Sequence, residues 1–257
     1  MFYGCEGSGT DKKMGGGYVE NILISAASLW NGKKFKNFNP PDHDLLFLDS
    51  GGFSFFYAKG DYPFSTEEYV DLAKELDADI VAVRDYPCEP DVSRIGGLET
   101  NKERTDATIK NAKECREYKK INWTMVVQGY AKDEYQYCCN QIKLNDLVTD
   151  VMCIGSLCVR KRITDAKSII SIVKKNFRSR KLHGFGIDLK FIKNPIIRNM
   201  LWSADTQAWK FNMRSYPANR RNILPRSEKD KIENFEFYKK KVDFVIGPET
   251  SSQTKLA

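Results

Sequence analysis

The chain has 257 residues, 41% of them hydrophobic and 12% aromatic, enough to bury a substantial core in one large domain. No apolar run reaches the ~18 residues of a membrane span, and the start lacks a basic-then-apolar leader with a small-residue cleavage site, so a cytoplasmic protein is expected, in a host cytoplasm if the source is viral. The 7 cysteines are odd in number, include the adjacent Cys138 and Cys139 and form no C-x-x-C, which argues against a disulfide framework or a zinc site and for small buried hydrophobes.

In chain order, short apolar segments alternate with amphipathic ones. Residues 5–18 are rich in glycine and read as a flexible loop or lid, or as a disordered end. Candidate strands follow at 21–25 and 45–49. Ser65 and Glu68 then form an S-x-x-E capping box before a helix over 69–76. A strand at 79–85 precedes a charged helix over 104–119, with Ile109, Ala112 and Cys115 at helical spacing. Strands at 123–128 and 151–155 lead to an apolar stripe of Ile163, Ala166, Ile169, Ile170, Val173 and Phe177. After a strand at 182–187, Asn194-Pro195 marks a helix start. A strand at 201–205, a helix over 228–241 and a strand at 242–247 complete the series. No repeat, low-complexity tract or linker interrupts it, so residues 1–257 are expected to form one domain.

Eight apolar strands with helices between them point to an α/β fold of the (β/α)8 TIM-barrel type, with an open doubly wound sheet as the alternative. Asp49, Asp85, Gln128, Gly155, Gly184 and Asp205 stand at or near the C-terminal ends of these strands, where barrel enzymes carry their chemistry. Any one acid alone is as readily the N-cap of the next helix, and Gly184-x-Gly186 is too short to claim a dinucleotide site. As a set, three carboxylates, an amide and glycine backbone suit a flat polar heterocycle, with Phe53 to stack on it.

The segment "DSGGFSFF" from Asp49 resembles the D-S-G-G-F/Y motif of the tRNA-guanine transglycosylase superfamily. In the same order "VRDYPCEP" resembles the base-recognising Asp segment, "VVQGY" the V-Q-G stretch, "CIGSL" the G-G-L turn, "LHGFGI" the L-M-G-x-G segment, and "SADTQAW" falls at the nucleophile. The resemblance implies Asp205 as nucleophile and Asp49 as general acid/base. It implies that Asp85 faces the guanidine-like edge of the base and that Gln128 and the Gly155 amide address its carbonyl oxygen. Phe53 would form one stacking wall. His183, where the family usually has Met, would form the other, hydrogen-bond instead, or be structural. Ser50, Gly129 and Gly184, which flank these positions in the motifs, complete the implied substrate-binding set. No cofactor and no metal are implied for this chain.

Those residue types suit base exchange. Breaking an N-glycosidic bond develops an oxocarbenium-like centre, which an ionised carboxylate can capture at C1′ as a covalent intermediate. The departing purine gains a proton and the incoming one loses one, which requires a second carboxyl. A base inside a duplex is out of reach of a barrel mouth and has to be flipped out or presented unpaired.

The formal charge is +7, and from Val159 to Leu182 there are 9 Lys/Arg against one acid, Asp165. A second basic stretch runs from Lys210 through Arg214, Arg220, Arg221 and Arg226. These read either as solvated helix faces or as a phosphate-binding surface, for which Arg160, Lys161, Arg162, Lys210, Arg214, Arg220 and Arg221 are the candidates. No cysteine follows Cys158, so the zinc site of the tRNA enzymes is missing. The compact form is more similar to the DNA-modifying branch, which inserts 7-deazaguanines such as preQ0 into phage or bacterial DNA. DNA, a 7-deazaguanine base and accessory modification proteins are therefore the expected partners. The alternatives are tRNA as substrate, a non-catalytic nucleic-acid-binding paralogue, and an N-glycoside hydrolase.

Overall fold

A computed structural model describes residues 1–5, 11–90, 97–211 and 227–247. Eight parallel strands close into a barrel in chain order: β1 (Phe2–Cys5), β2 (Asn21–Ser25), β3 (Leu45–Asp49), β4 (Ile80–Ala82), β5 (Trp123–Val127), β6 (Val151–Ile154), β7 (Lys181–Gly184) and β8 (Ser203–Thr206). The ring closes where β8 pairs with β1, Phe2 opposite Asp205 and Tyr3 opposite Thr206. The connecting helices are α1 (Ala26–Leu29), α2 (Gly52–Lys59), α3 (Thr66–Glu75), α4 (Asn101–Arg116), α5 (Lys132–Leu144), α6 (Ile163–Asn176), α7 (Leu189–Ile192), α8 (Pro195–Met200), α9 (Ala208–Phe211) and α10 (Glu228–Ile246). The architecture is the expected (β/α)8 barrel.

Two expectations along the chain are corrected. The strand expected at 242–247 is the end of α10, because Phe235, Tyr238 and Val242 recur at helical spacing and bury one continuous face. The eighth strand is instead β1, at the other end of the chain. The glycine-rich segment is also not a loose end over its described part. Residues 11–17 form two short 3-10 turns across a kink at Met14–Gly16, Met14 is fully buried, and the Gly15 N–H donates to Glu236 on α10 at 3.1 Å.

Other local signals act as read. Ser65 and Glu68 form a reciprocal capping box on α3, and the Asn194 side chain accepts from the N–H groups of Ile196 and Ile197 at the start of α8. All five residues of β5 are buried, as a strand covered on both faces requires. Six of the seven cysteines are buried, all of these but Cys88 within the main hydrophobic core, and Cys158 is exposed. No helix among the described residues is long and apolar enough to cross a membrane.

The lower barrel is filled by rings. Phe2, Phe47 and His183 meet inside it, with centroids 4.8 Å apart for Phe47 and His183 and 5.7 Å for Phe2 and His183. This layer closes the barrel below and leaves the C-terminal ends of the strands to form an open mouth.

Candidate active site

A cavity of about 760 Å³ occupies that mouth, within the size range of small-molecule sites. Its wall includes Asp49 from the end of β3, Asp85 after β4, Gln128 after β5, Gly155 after β6 and Asp205 from β8, with Phe53 at the start of α2. Four strand ends thus deliver polar side chains to one space, and a fifth lines it with glycine.

The turn after β3 explains its own glycines. Gly51 has φ 77°, the left-handed region, and a Cβ there would lie 2.7 Å from the Ala27 backbone nitrogen. A Cβ on Gly52 would lie 2.6 Å from the Asp85 carbonyl oxygen. Only two glycines let the chain pass from Asp49 into α2 against both neighbours. Phe53 then emerges at the mouth, 44% exposed, its ring parallel to that of Tyr57 one turn further along.

Asp49 Oδ2 accepts from the Gly51 N–H at 3.1 Å, and Ser25 lies opposite it across the β2–β3 pair. Burial raises the Asp49 carboxyl from its ordinary 3.8 to about 7, with the charges of Asp85 and Asp205 adding to the effect. A carboxyl tuned this way can both give and take a proton near neutrality.

Asp85 is held from two sides. Ser50 Oγ donates to its Oδ1 at 2.8 Å, and the Gln128 amide donates to its Oδ2. Burial raises this carboxyl as well, while the two donors oppose the rise. Gln128 Oε1 accepts in turn from Ser156 Oγ at 3.1 Å. The Tyr62 hydroxyl donates to the Asp85 carbonyl at 2.8 Å and lies 2.8 Å from Ser50 Oγ. These bonds fix one edge of the cavity as a rigid row of donors and acceptors.

Asp205 Oδ1 accepts from the Gly186 N–H at 2.7 Å and lies 3.4 Å from His183 Nε2. The other ring nitrogen, Nδ1, is 2.8 Å from Ser203 Oγ. His183 is fully buried and does not line the cavity. It sits under Asp205, and the ring that faces the cavity is Phe185, edge-on to His183 at 4.9 Å.

Several expected residues stand behind the wall. Ser50 is fully buried and does not line the cavity, holding Asp85 and accepting from the Gly52 N–H behind it. Gly129 packs on the start of α5 and Gly184 on Ile187, neither lining the cavity. Gly155 does line it, but its N–H donates to Val127 O at 3.0 Å and its carbonyl accepts from Tyr135 at 2.8 Å. What Gly155 offers is room, since a Cβ there would overlap the Gln128 amide.

Among the basic residues, Arg160 is committed to the fold. Its guanidinium donates to the carbonyls of Ser156 and Tyr130 and lies 4.2 Å from the centre of the Tyr130 ring. Lys161 and Arg162 are exposed on the loop after β6, on the side of the mouth. Lys210 lies in α9, and Arg214, Arg220, Arg221 and Arg226 fall outside the described residues.

The cavity also recruits residues that sequence reasoning passed over, among them Ser25, Glu89, Ser156, Cys158 and Phe185. Ser25 was the most accessible of these, as a polar residue closing an apolar strand beside Asp49. Glu89 and Phe185 lie within quoted motif segments but carry no periodic signal. A search of curated proteins finds no match. A family model, DpdA (DeoxyPurine in DNA protein A), matches residues 33–230, a stretch that takes in every strand from β3 to β8, and the chain therefore belongs to the DpdA family.

Proposed function

We propose that this chain replaces guanine in DNA with a 7-deazaguanine such as preQ0, through a covalent bond between Asp205 and C1′, with Asp49 as the proton shuttle. Membership of the DpdA family supports a guanine transglycosylase acting on DNA rather than on tRNA. The finer reading rests on one observation: Asp49, Asp85, Gln128 and Asp205 converge on a single cavity at the barrel mouth.

In the first half, an Asp205 oxygen bonds to C1′ as the C1′–N9 bond breaks and its electron pair passes to N9. Asp49 gives its proton to the departing guanine. In the second half, the incoming base loses its N9 proton to Asp49, attacks C1′ and releases Asp205. Two displacements retain the configuration of the sugar, and no net proton is consumed.

Binding falls to the other residues. Asp85, anchored by Ser50, accepts from the N1–H and the 2-amino group of the base. The second amide proton of Gln128, whose Oε1 is held by Ser156, addresses the carbonyl oxygen at carbon 6, and Phe53 covers one face of the ring. Lys161 and Arg162 hold phosphates of the flipped-out strand. The residues 1–257 act on this reading as one domain.

The test is incubation with DNA or tRNA carrying labelled guanine, in the presence of preQ0. Release from DNA that stops with Asp205→Asn, together with a protein–DNA adduct in the native chain alone, is the expected result. Release from tRNA only, or abasic sites without incorporation, overturns it.

A further inference from the structure

We infer that Glu89 reads the substituent on carbon 7 of the incoming base, donating its carboxyl proton to an acceptor there such as a nitrile nitrogen; this rests on the base-exchange reading above. Glu89 is 3% exposed and forms part of the cavity wall. Among the described residues, its Oε2 is the one carboxylate oxygen that is buried with no hydrogen-bond partner. A buried polar atom left unpaired at the edge of a ligand cavity is a position for the ligand to fill.

The place of Glu89 selects the part of the base it meets. Asp85 bonds to Gln128 and Gln128 to Ser156, while Glu89 lies beside Cys158, with Sγ 4.0 Å from Oε1. Around a purine the N1–H edge is followed by the oxygen on carbon 6 and then by position 7. A base gripped by Asp85 and Gln128 therefore turns position 7 toward Glu89 and Cys158.

The chemistry of the pocket selects the form of the carboxyl. Asp49, Asp85, Glu89 and Asp205 share one cavity, and a further negative charge there is costly. The charged groups facing Glu89 are Asp85 and Arg160, and the Arg160 guanidinium is engaged with two carbonyls and the Tyr130 ring. Burial raises the Glu89 carboxyl above the usual carboxylate range, opposed by its own backbone N–H and by Ser156. The Cys158 Sγ lies 4.0 Å from Oε1, and Oε2 is the oxygen left without a partner to carry the proton.

The measurement is kcat/KM for incorporation of 7-cyano-7-deazaguanine, 7-aminomethyl-7-deazaguanine and unsubstituted 7-deazaguanine into DNA, with guanine-for-guanine exchange as the control. The native chain should favour the cyano base over the unsubstituted one by about tenfold. Glu89→Leu should bring that ratio near one, and Glu89→Gln, whose amide still donates, should keep part of the preference. A tenfold preference that survives in Glu89→Leu, no preference in the native chain, or a native preference for the aminomethyl base overturns the inference. If the native chain exchanges no guanine, the reaction assigned above fails. Calorimetric binding of the three free bases to the native chain and Glu89→Leu then decides the role of Glu89 by the same ratios. Melting curves confirm that each variant is folded.

Discussion

Asp49→Asn keeps the size of the side chain and removes its charge. In the native protein burial, then Asp85 and Asp205, lift this carboxyl from 3.8 to about 7. The unfolded chain therefore ionises near the lower value and the folded chain near the upper. Stability is intact below the lower value, falls as pH rises between the two, and is lowest above the upper one. The full difference corresponds to roughly 4 kcal/mol, and water reaching Asp49 from the cavity reduces it. Between pH 5 and pH 8 the stabilisation gained by the Asn variant should grow by about 1–3 kcal/mol. In a chain of this length that is roughly 2–10 °C in Tm. Thermal or urea unfolding of both proteins at the two pH values measures it, alongside the expected loss of base exchange. A gain that is the same at both pH values, or no gain at pH 8, refutes the reasoning that a buried, charge-crowded Asp49 lowers stability.

Gly155→Ala puts a methyl group onto the Gln128 amide, so kcat/KM for base exchange should fall by about a hundredfold with a change in Tm of only a few degrees. Phe53→Ala should raise KM for the free base by about tenfold and leave kcat nearly unchanged, with Phe53→Tyr restoring the native value, as measured by initial rates. Lys161→Gln with Arg162→Gln should weaken DNA binding and lower the slope of log Kd against log salt by about 2, read by fluorescence anisotropy. Arg160→Ala should instead lower Tm, by roughly 3–6 °C, because its guanidinium bonds two carbonyls rather than phosphate.

The strand ends were legible because polar residues stand out against apolar runs, and the barrel turns those isolated positions into one mouth. Asp49, Asp85, Gln128 and Asp205 needed only chain order to be grouped. β1 was not legible: four residues ahead of a glycine-rich segment give no period and no flanking turn that separates a strand from a loose end. The segment 242–247 misled for the opposite reason, since its apolar run suits a strand, and only its spacing from Phe235 and Tyr238 reveals the helix. Arg160 looked like its neighbours Lys161 and Arg162 in the sequence. Its commitment to the carbonyls of Ser156 and Tyr130 depends on how the loop folds back, which charge patterning does not carry. His183 falls behind the cavity wall for a similar reason: β7 turns it inward, and Phe185, two residues on, reaches the ligand side.

Asp49 and Asp205 are both acids at the barrel mouth, yet they are held differently. Asp205 Oδ1 receives the Gly186 N–H at 2.7 Å and faces His183 at 3.4 Å, so that carboxylate is oriented by groups that do not leave during a reaction. Asp49 has the Gly51 N–H at 3.1 Å and the raising influence of two other carboxylates. One of those is Asp205 itself, which couples the two roles on the proposed mechanism. When Asp205 bonds to C1′ its charge disappears, the Asp49 carboxyl becomes more acidic, and the proton is released just as the departing guanine requires it. When the incoming base expels Asp205 the charge returns, and Asp49 becomes basic enough to keep the proton it has taken. A like charge nearby, which lowers the stability of the resting fold, thus drives proton transfer in the required direction in each half of the cycle.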